Sequence, residues 1–208
     1  MAAAWTETKI MEVLDWAYEK AVNGVAGLDS ASELAESYMH DGRTPYEQAT
    51  SLVRWQTSKA ATSGFITGLG GLLTLPVAVP ANLASVLYVQ IRMIAAIAHI
   101  GGFDVRNDKV KTLVFACLVA TSATDIAKDV GIAVGNKVAM NALKGLSGKT
   151  IAAINKKVGF RLLTKFGEKG AVNLVRLVPI AGGLIGGTVD AVGTTTVGKV
   201  AKDTFTPL

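Results

Sequence analysis

A single arginine inside an apolar helical segment is the first residue in this sequence that asks for a chemical explanation. Between residues 81 and 100, Asn82, Ser85, Tyr88, Arg92 and His99 fall within a stripe of roughly 120° when each residue advances the helix by 100°. Apart from Gln90, every other residue of the segment is apolar. A guanidinium facing lipid at mid-span is disfavoured by ~2.5–3.5 kcal/mol on insertion scales. The stripe therefore points to a protein interior, to solvent or to a water-lined cavity, and a buried polar seam in a helical core is the preferred reading. A buried Arg92 needs a counter-charge, for which Asp104 and Asp190 are the candidates. One functional consequence is an internal pocket, lined by Arg92 and His99, for a fatty or anionic ligand.

The second candidate region is basic. From 147 to 169, Lys149, Lys156, Lys157, Arg161, Lys165 and Lys169 alternate with Ile151, Ile154, Val158, Leu162 and Phe166. A basic amphipathic helix is the signature of docking on an anionic membrane surface, although a plain solvated face gives the same pattern. Nucleic acid is not the expected partner, because few aromatics are interleaved for stacking and no recognition motif accompanies the charges.

The sequence carries no recognisable catalytic constellation. Gly145-Leu146-Ser147-Gly148-Lys149-Thr150 invites comparison with a phosphate-binding loop, but Leu143 stands where that motif requires its first glycine. Gly68-Leu69-Gly70-Gly71 lacks the last glycine of a dinucleotide fingerprint and its strand–helix setting. His40, His99 and Cys117 alone make no zinc set. No nucleophile-elbow motif supports a triad around His99. Cys117, flanked by Phe115, Ala116, Leu118 and Val119, reads as a buried small hydrophobe. The expectation is a protein without enzymatic activity, cofactor or metal.

The element that must position these residues is an uncharged run from Ala60 to Ile91, roughly thirty residues and longer than the ~20 that span a bilayer. Gly64, Gly68, Gly70 and Gly71 crowd its first half, and Pro76 and Pro80 interrupt it. Each proline removes a helical hydrogen bond and clashes with the preceding turn. The run therefore predicts two apolar helices joined at a Leu75–Pro80 corner, a hydrophobic hairpin over 60–100. A second small-residue segment, 177–198, carries Pro179 and the pairs Gly182/Gly186 and Gly183/Gly187 at the spacing that permits close helix approach. It is expected to pack against the first glycine run.

Elsewhere the helical signals are local. Ile10, Val13, Leu14, Ala17 and Ala21 recur at helical spacing over 6–23, with Trp16 on the opposite face, either marking an interface or packing beneath a neighbour. Asp29 or Ser30 caps a short helix over 30–39, with Glu33 completing a capping box. Thr44 caps another that has Pro45 at its first position. Asn107 or Asp108 opens a buried helix through Thr121, and 124–144 reads as one amphipathic helix with Ile126, Val130, Val134 and Val138 on its apolar face.

The glycine-rich run, the corner Leu75-Pro76-Val77-Ala78-Val79-Pro80-Ala81-Asn82-Leu83, the stretch from Tyr88 to Ala98 and the exit Gly102-Phe103-Asp104 resemble the bacterial EcsC family. The run Val178-Pro179-Ile180-Ala181-Gly182-Gly183-Leu184-Ile185-Gly186-Gly187 is similar to that family's second small-residue segment. The resemblance covers most of the chain after about residue 45. It implies a bacterial, helical, membrane-linked protein of a family named for one encoded beside an ABC exporter, and it brings no catalytic residues.

Composition frames these readings. Hydrophobic residues make up 50% and charged residues 18%, below the ~25% charged of an average soluble domain, so the chain is borderline membrane-like. The net charge of +5 conceals an asymmetry. Residues 1–50 hold nine acids against three bases, and residues 125–208 hold twelve bases against five acids. A positive end favours anionic partners such as phospholipid head groups. The opening residues lack a basic start and an apolar run, so no cleaved signal peptide is expected and the bacterial cytoplasm is the expected compartment. The fold class expected is all-α, a single multi-helix domain over 1–208. It comprises acidic N-terminal helices (1–44), the hairpin, a basic amphipathic region (125–170) and the second small-residue segment.

The leading functional expectation is a membrane-associated protein, peripheral to or reversibly inserted in the inner membrane, docking on anionic phospholipid or a transporter. A pore-forming effector whose Gly/Pro hairpin inserts is the first alternative. A soluble helical scaffold with a lipid-like or anionic ligand is the second.

Overall fold

The computed structural model describes residues 6–25, 27–40, 42–60, 81–120, 122–131, 138–166 and 184–206. Among them are nine helices and no sheet: α1 (Glu7–Asn23), α2 (Ala31–Glu36), α3 (Pro45–Ala60), α4 (Ala81–Ile100), α5 (Asp108–Val119), α6 (Ala123–Val130), α7 (Val138–Gly145), α8 (Gly148–Phe166) and α9 (Leu184–Phe205). The all-α expectation is met.

Local sequence sets most of the boundaries. The Thr6 hydroxyl accepts the Lys9 N–H to start α1, and Gly24, at a positive φ of 75°, ends it. Ser30 and Glu33 exchange hydrogen bonds in the predicted capping box of α2. Thr44 and Glu47 do the same ahead of α3, with Pro45 at the first position. Asn107 caps α5 through the Lys109 N–H. Trp16 is half-buried against the core, the structural option of the two left open.

The helix carrying the arginine, α4, lies at the centre. Residues 91–98 are buried without interruption, so no face of this stretch is left to solvent. Helices α1, α2, α3, α5 and α9 all pack on it. It ends where the Gly102 N–H reaches the His99 carbonyl and the Phe103 N–H reaches that of Ala98, a reverse turn that uses Gly102 at φ 81°.

One predicted helix is two. The stretch 124–144 breaks at Gly131, which adopts the left-handed conformation and donates its N–H to the carbonyls of Ala127 and Lys128. Helix α7 begins at Val138, and Val134 lies outside the described residues.

Small residues do bring helices together, at Gly198. A Cβ there would stand 2.6 and 2.8 Å from the two methyls of Val53, so α9 lies close against α3. Gly186 and Gly187 belong to the start of α9. Gly64, Gly68, Gly70, Gly71, Pro76, Pro80, Gly182 and Gly183, with the hairpin corner they define, lie outside the described residues. Among the described residues, no helix is long and apolar enough to cross a membrane.

Candidate functional site

Two arrangements of the predicted residues stand out, one inside the fold and one on its surface. Inside, Ser85, Tyr88 and Arg92 are all buried on successive turns of α4. His99, near the end of the stripe, is half-buried with Nδ1 3.4 Å from the Ser32 hydroxyl. The side chain of Asn82 lies outside the described residues.

The counter-charge of Arg92 is Asp29, whose Oδ2 lies 3.7 Å from Nη2. This corrects the expectation of Asp104. That residue lies past the end of α4, about 12 Å further along the axis than Arg92 even at Ile100. Its carboxylate instead accepts the Arg106 N–H at 2.9 Å. The side chain of Asp190 lies outside the described residues. The loop before α2 brings Asp29 to the middle of α4, a tertiary placement.

Around the arginine the environment is polar but incompletely matched. Gln56, from α3, is buried nearby, and Tyr38 lies within reach of both Gln56 and the Arg92 charge. Burial pushes the Tyr38 phenol up, offset in part by its hydrogen bond with Gln56 and by Arg92. Burial also raises the Tyr88 phenol; Arg92 opposes that shift and Asp29 adds to it. Among the described residues, Ser85 Oγ, Tyr88 OH and Arg92 Nε are buried without a hydrogen-bond partner, and Asn155 Oδ1 on α8 is a fourth such atom. An unsatisfied buried polar group costs about 1–3 kcal/mol, so three on one helix face are a considerable burden.

On the surface, α8 contains no acidic residue. Ile154, Val158 and Leu162 are buried, and Gly159 lies over Met11 of α1. The opposite face exposes Lys149, Ala153, Lys156, Phe160 and Thr164. Phe160 is 55% exposed, and on a helical wheel it falls within ~40° of Lys149, Ala153 and Lys156. Two of the predicted basic residues are engaged by neighbouring segments, Lys157 while still exposed and Arg161 half-buried. Lys157 pairs with Asp129, and Arg161 donates to the Val119 carbonyl at 3.4 Å. The side chain of Lys165, and Lys169 altogether, lie outside the described residues. Phe160 itself was not singled out by sequence. The available signal was its register, opposite the Ile154–Val158–Leu162 stripe.

Other candidate groups are inert or shallow. Burial pushes the Cys117 thiol up to about 12, against a small opposing hydrogen bond from Thr204, so it stays protonated at neutral pH. No group of three or more His, Cys, Asp or Glu side chains is placed to hold a metal ion among the described residues. An open depression of about 610 Å³ is bordered by Asn23, Gly24, Gly27, Leu28, Asp29 and Glu33. A smaller, more apolar one of about 280 Å³ lies between Pro45, Phe103, Met140 and Phe205.

These features define an all-helical protein with a buried arginine strip and a cationic face centred on an aromatic. The model of the EcsC protein family matches residues 43–206, most of the chain, and the chain belongs to that family. Comparisons with curated proteins and with solved structures return no match.

Proposed function

We propose that this chain is a non-enzymatic, peripheral membrane-associated protein that docks on anionic phospholipid through the exposed face of α8. The observation that carries the reading is Phe160, an aromatic left half in solvent on the same face as Lys149 and Lys156 of a helix without acids. A basic face with an exposed aromatic matches the head-group and acyl layers of a bilayer surface. Each lysine near an anionic surface contributes about 1 kcal/mol. Full burial of a phenylalanine side chain adds about 1.5–3 kcal/mol. Neither contribution alone holds a protein on a membrane; together they give reversible docking.

The test is co-sedimentation with vesicles of phosphatidylcholine alone and of phosphatidylcholine mixed with phosphatidylglycerol, with entrapped dye in the same vesicles. Binding to the anionic vesicles is expected to weaken with added salt. It should be lost in the Lys149→Glu/Lys156→Glu variant and reduced in Phe160→Ser. Absence of binding to anionic vesicles, or binding indifferent to these substitutions, would rule out α8 as the docking face. Release of dye would support the membrane-perturbing alternative and direct attention to Gly64–Leu83.

A further inference from the structure

We propose that the strip formed by Ser85, Tyr88 and Arg92 is a binding site for a small oxyanion, a phosphate or a carboxylate, received by the open edge of the Arg92 guanidinium. This is independent of the docking face on α8.

Arginine recognises carboxylate and phosphate side-on, with two parallel N–H donors meeting two oxygens. The Nε and Nη2 donors form one such edge. Here Nε has no partner among the described residues, and Nη2 faces Asp29 at 3.7 Å, well beyond the 2.7–2.9 Å of a charge-assisted hydrogen bond. The arginine side chain is 9% exposed, so solvent does little to satisfy that edge. Glu33 also feels the Arg92 charge, but its Oε2 is held by the Ser30 N–H at 2.8 Å. Neither nearby carboxylate closes the edge.

The hydroxyls supply the rest of the site. Tyr88 OH and Ser85 Oγ, one and two turns from Arg92 on the same face, are buried and unpartnered, and each can donate to an anion. Had the strip been purely structural, Phe and Ala would fill the same space without leaving orphan hydroxyls. None of the three residues itself lines a described depression, so the proposed route of entry is past Asp29. Its side chain is 72% exposed and borders the open depression of about 610 Å³. An incoming oxyanion would take the place that Asp29 occupies loosely.

The experiment titrates inorganic phosphate, and separately octanoate and acetate, into the full chain at constant ionic strength. It follows the Arg92 Nε–H resonance, assigned by its loss in Arg92→Lys, together with the melting temperature. A saturable shift accompanied by a rise in melting temperature is expected with phosphate or with octanoate. Saturation by phosphate assigns a phosphate ligand; saturation by octanoate but not acetate assigns the carboxylate of an apolar chain. Tyr88→Phe and Ser85→Ala should each weaken binding about fivefold without lowering the melting temperature of the free protein, which separates a lost ligand contact from a damaged fold. The absence of a saturable shift with all three probes would overturn the site, leaving water as the partner of these groups. Undiminished binding in both hydroxyl variants would also overturn it.

Discussion

Arg92 and Asp29 form an ion pair in which one side chain is 9% exposed and the other 72%, with 3.7 Å between Nη2 and Oδ2. The asymmetry decides what the pair contributes. Water screens the carboxylate, so the attraction is closer to that of a surface pair, about 0–1 kcal/mol, than to a desolvated one. The burial is borne by the arginine alone.

Asp29→Asn is therefore expected to lower stability by about 1 kcal/mol or less, read as a shift of the urea midpoint with an unchanged slope. A loss of about 3 kcal/mol or more would mean that the pair behaves as a fully buried one. Arg92→Met keeps an unbranched apolar stem of comparable reach and removes the orphan Nε, so it is expected to be near neutral.

Gly198 and Gly159 are both helical glycines, and their neighbours predict opposite outcomes for alanine. At Gly198 the new methyl would overlap both Val53 methyls, at 2.6 and 2.8 Å. Overpacking of this kind destabilises by about 1–3 kcal/mol. Val53→Ala in the same chain should recover part of the loss, giving a coupling in a double-mutant cycle. At Gly159 the methyl would meet Met11 Cγ and Sδ at 3.6 Å, an ordinary contact. There alanine gains up to about 1 kcal/mol of helix propensity, so Gly159→Ala should be neutral or stabilising. Equal effects at the two sites would contradict the close approach of α9 to α3.

The capping boxes make an acid-side prediction. The Ser30 backbone N–H and hydroxyl hold the Glu33 carboxyl below its ordinary value, and Thr44 does the same for Glu47. A depressed folded-state pKa contributes stability that is fully present above the unfolded value and lost as pH falls through the folded one. The melting temperature should therefore fall as pH drops below about 4.5, and the Glu33→Gln/Glu47→Gln variant should show a shallower fall over that range. An identical acid limb in the two proteins would exclude these carboxylates as contributors.

What sequence revealed here was chiefly what a few neighbouring residues decide. Ser30 with Glu33, Thr44 with Pro45 and Glu47, and Asn107 each cap a helix through contacts spanning no more than a turn, so their types and spacing suffice. The polar stripe of α4 was equally readable, since helical periodicity put Ser85, Tyr88 and Arg92 together before any packing was known. Gly131 misled because an isolated glycine is compatible with a continuing helix, and its left-handed turn depends on where α7 must go. The partner of Arg92 was out of reach for another reason. Asp29 precedes it by sixty-three positions (92 − 29), and no local pattern encodes that meeting. Helix α8 divides the same way: its basic amphipathic character was legible, whereas the pairing of Lys157 with Asp129 and of Arg161 with the Val119 carbonyl depends on other segments.

Phe160 and Leu162 are two positions apart on α8 and face opposite ways, which allows stability and docking to be measured separately. Leu162 is buried among the core residues, and Leu162→Ala should cost about 2–5 kcal/mol, the range for emptying a buried leucine site. Phe160 is more than half exposed, and Phe160→Ala should leave stability within about 0.5 kcal/mol of the parent protein. Vesicle binding should rank them in reverse. A folded Leu162→Ala protein, assayed below its melting transition, retains Lys149, Lys156 and Phe160 on its outer face and should bind anionic vesicles as the parent does. Phe160→Ala should bind more weakly while melting unchanged. If Phe160→Ala instead destabilises the chain by about 2 kcal/mol or more, its ring packs against protein, and the exposed face of α8 loses the feature on which docking depends.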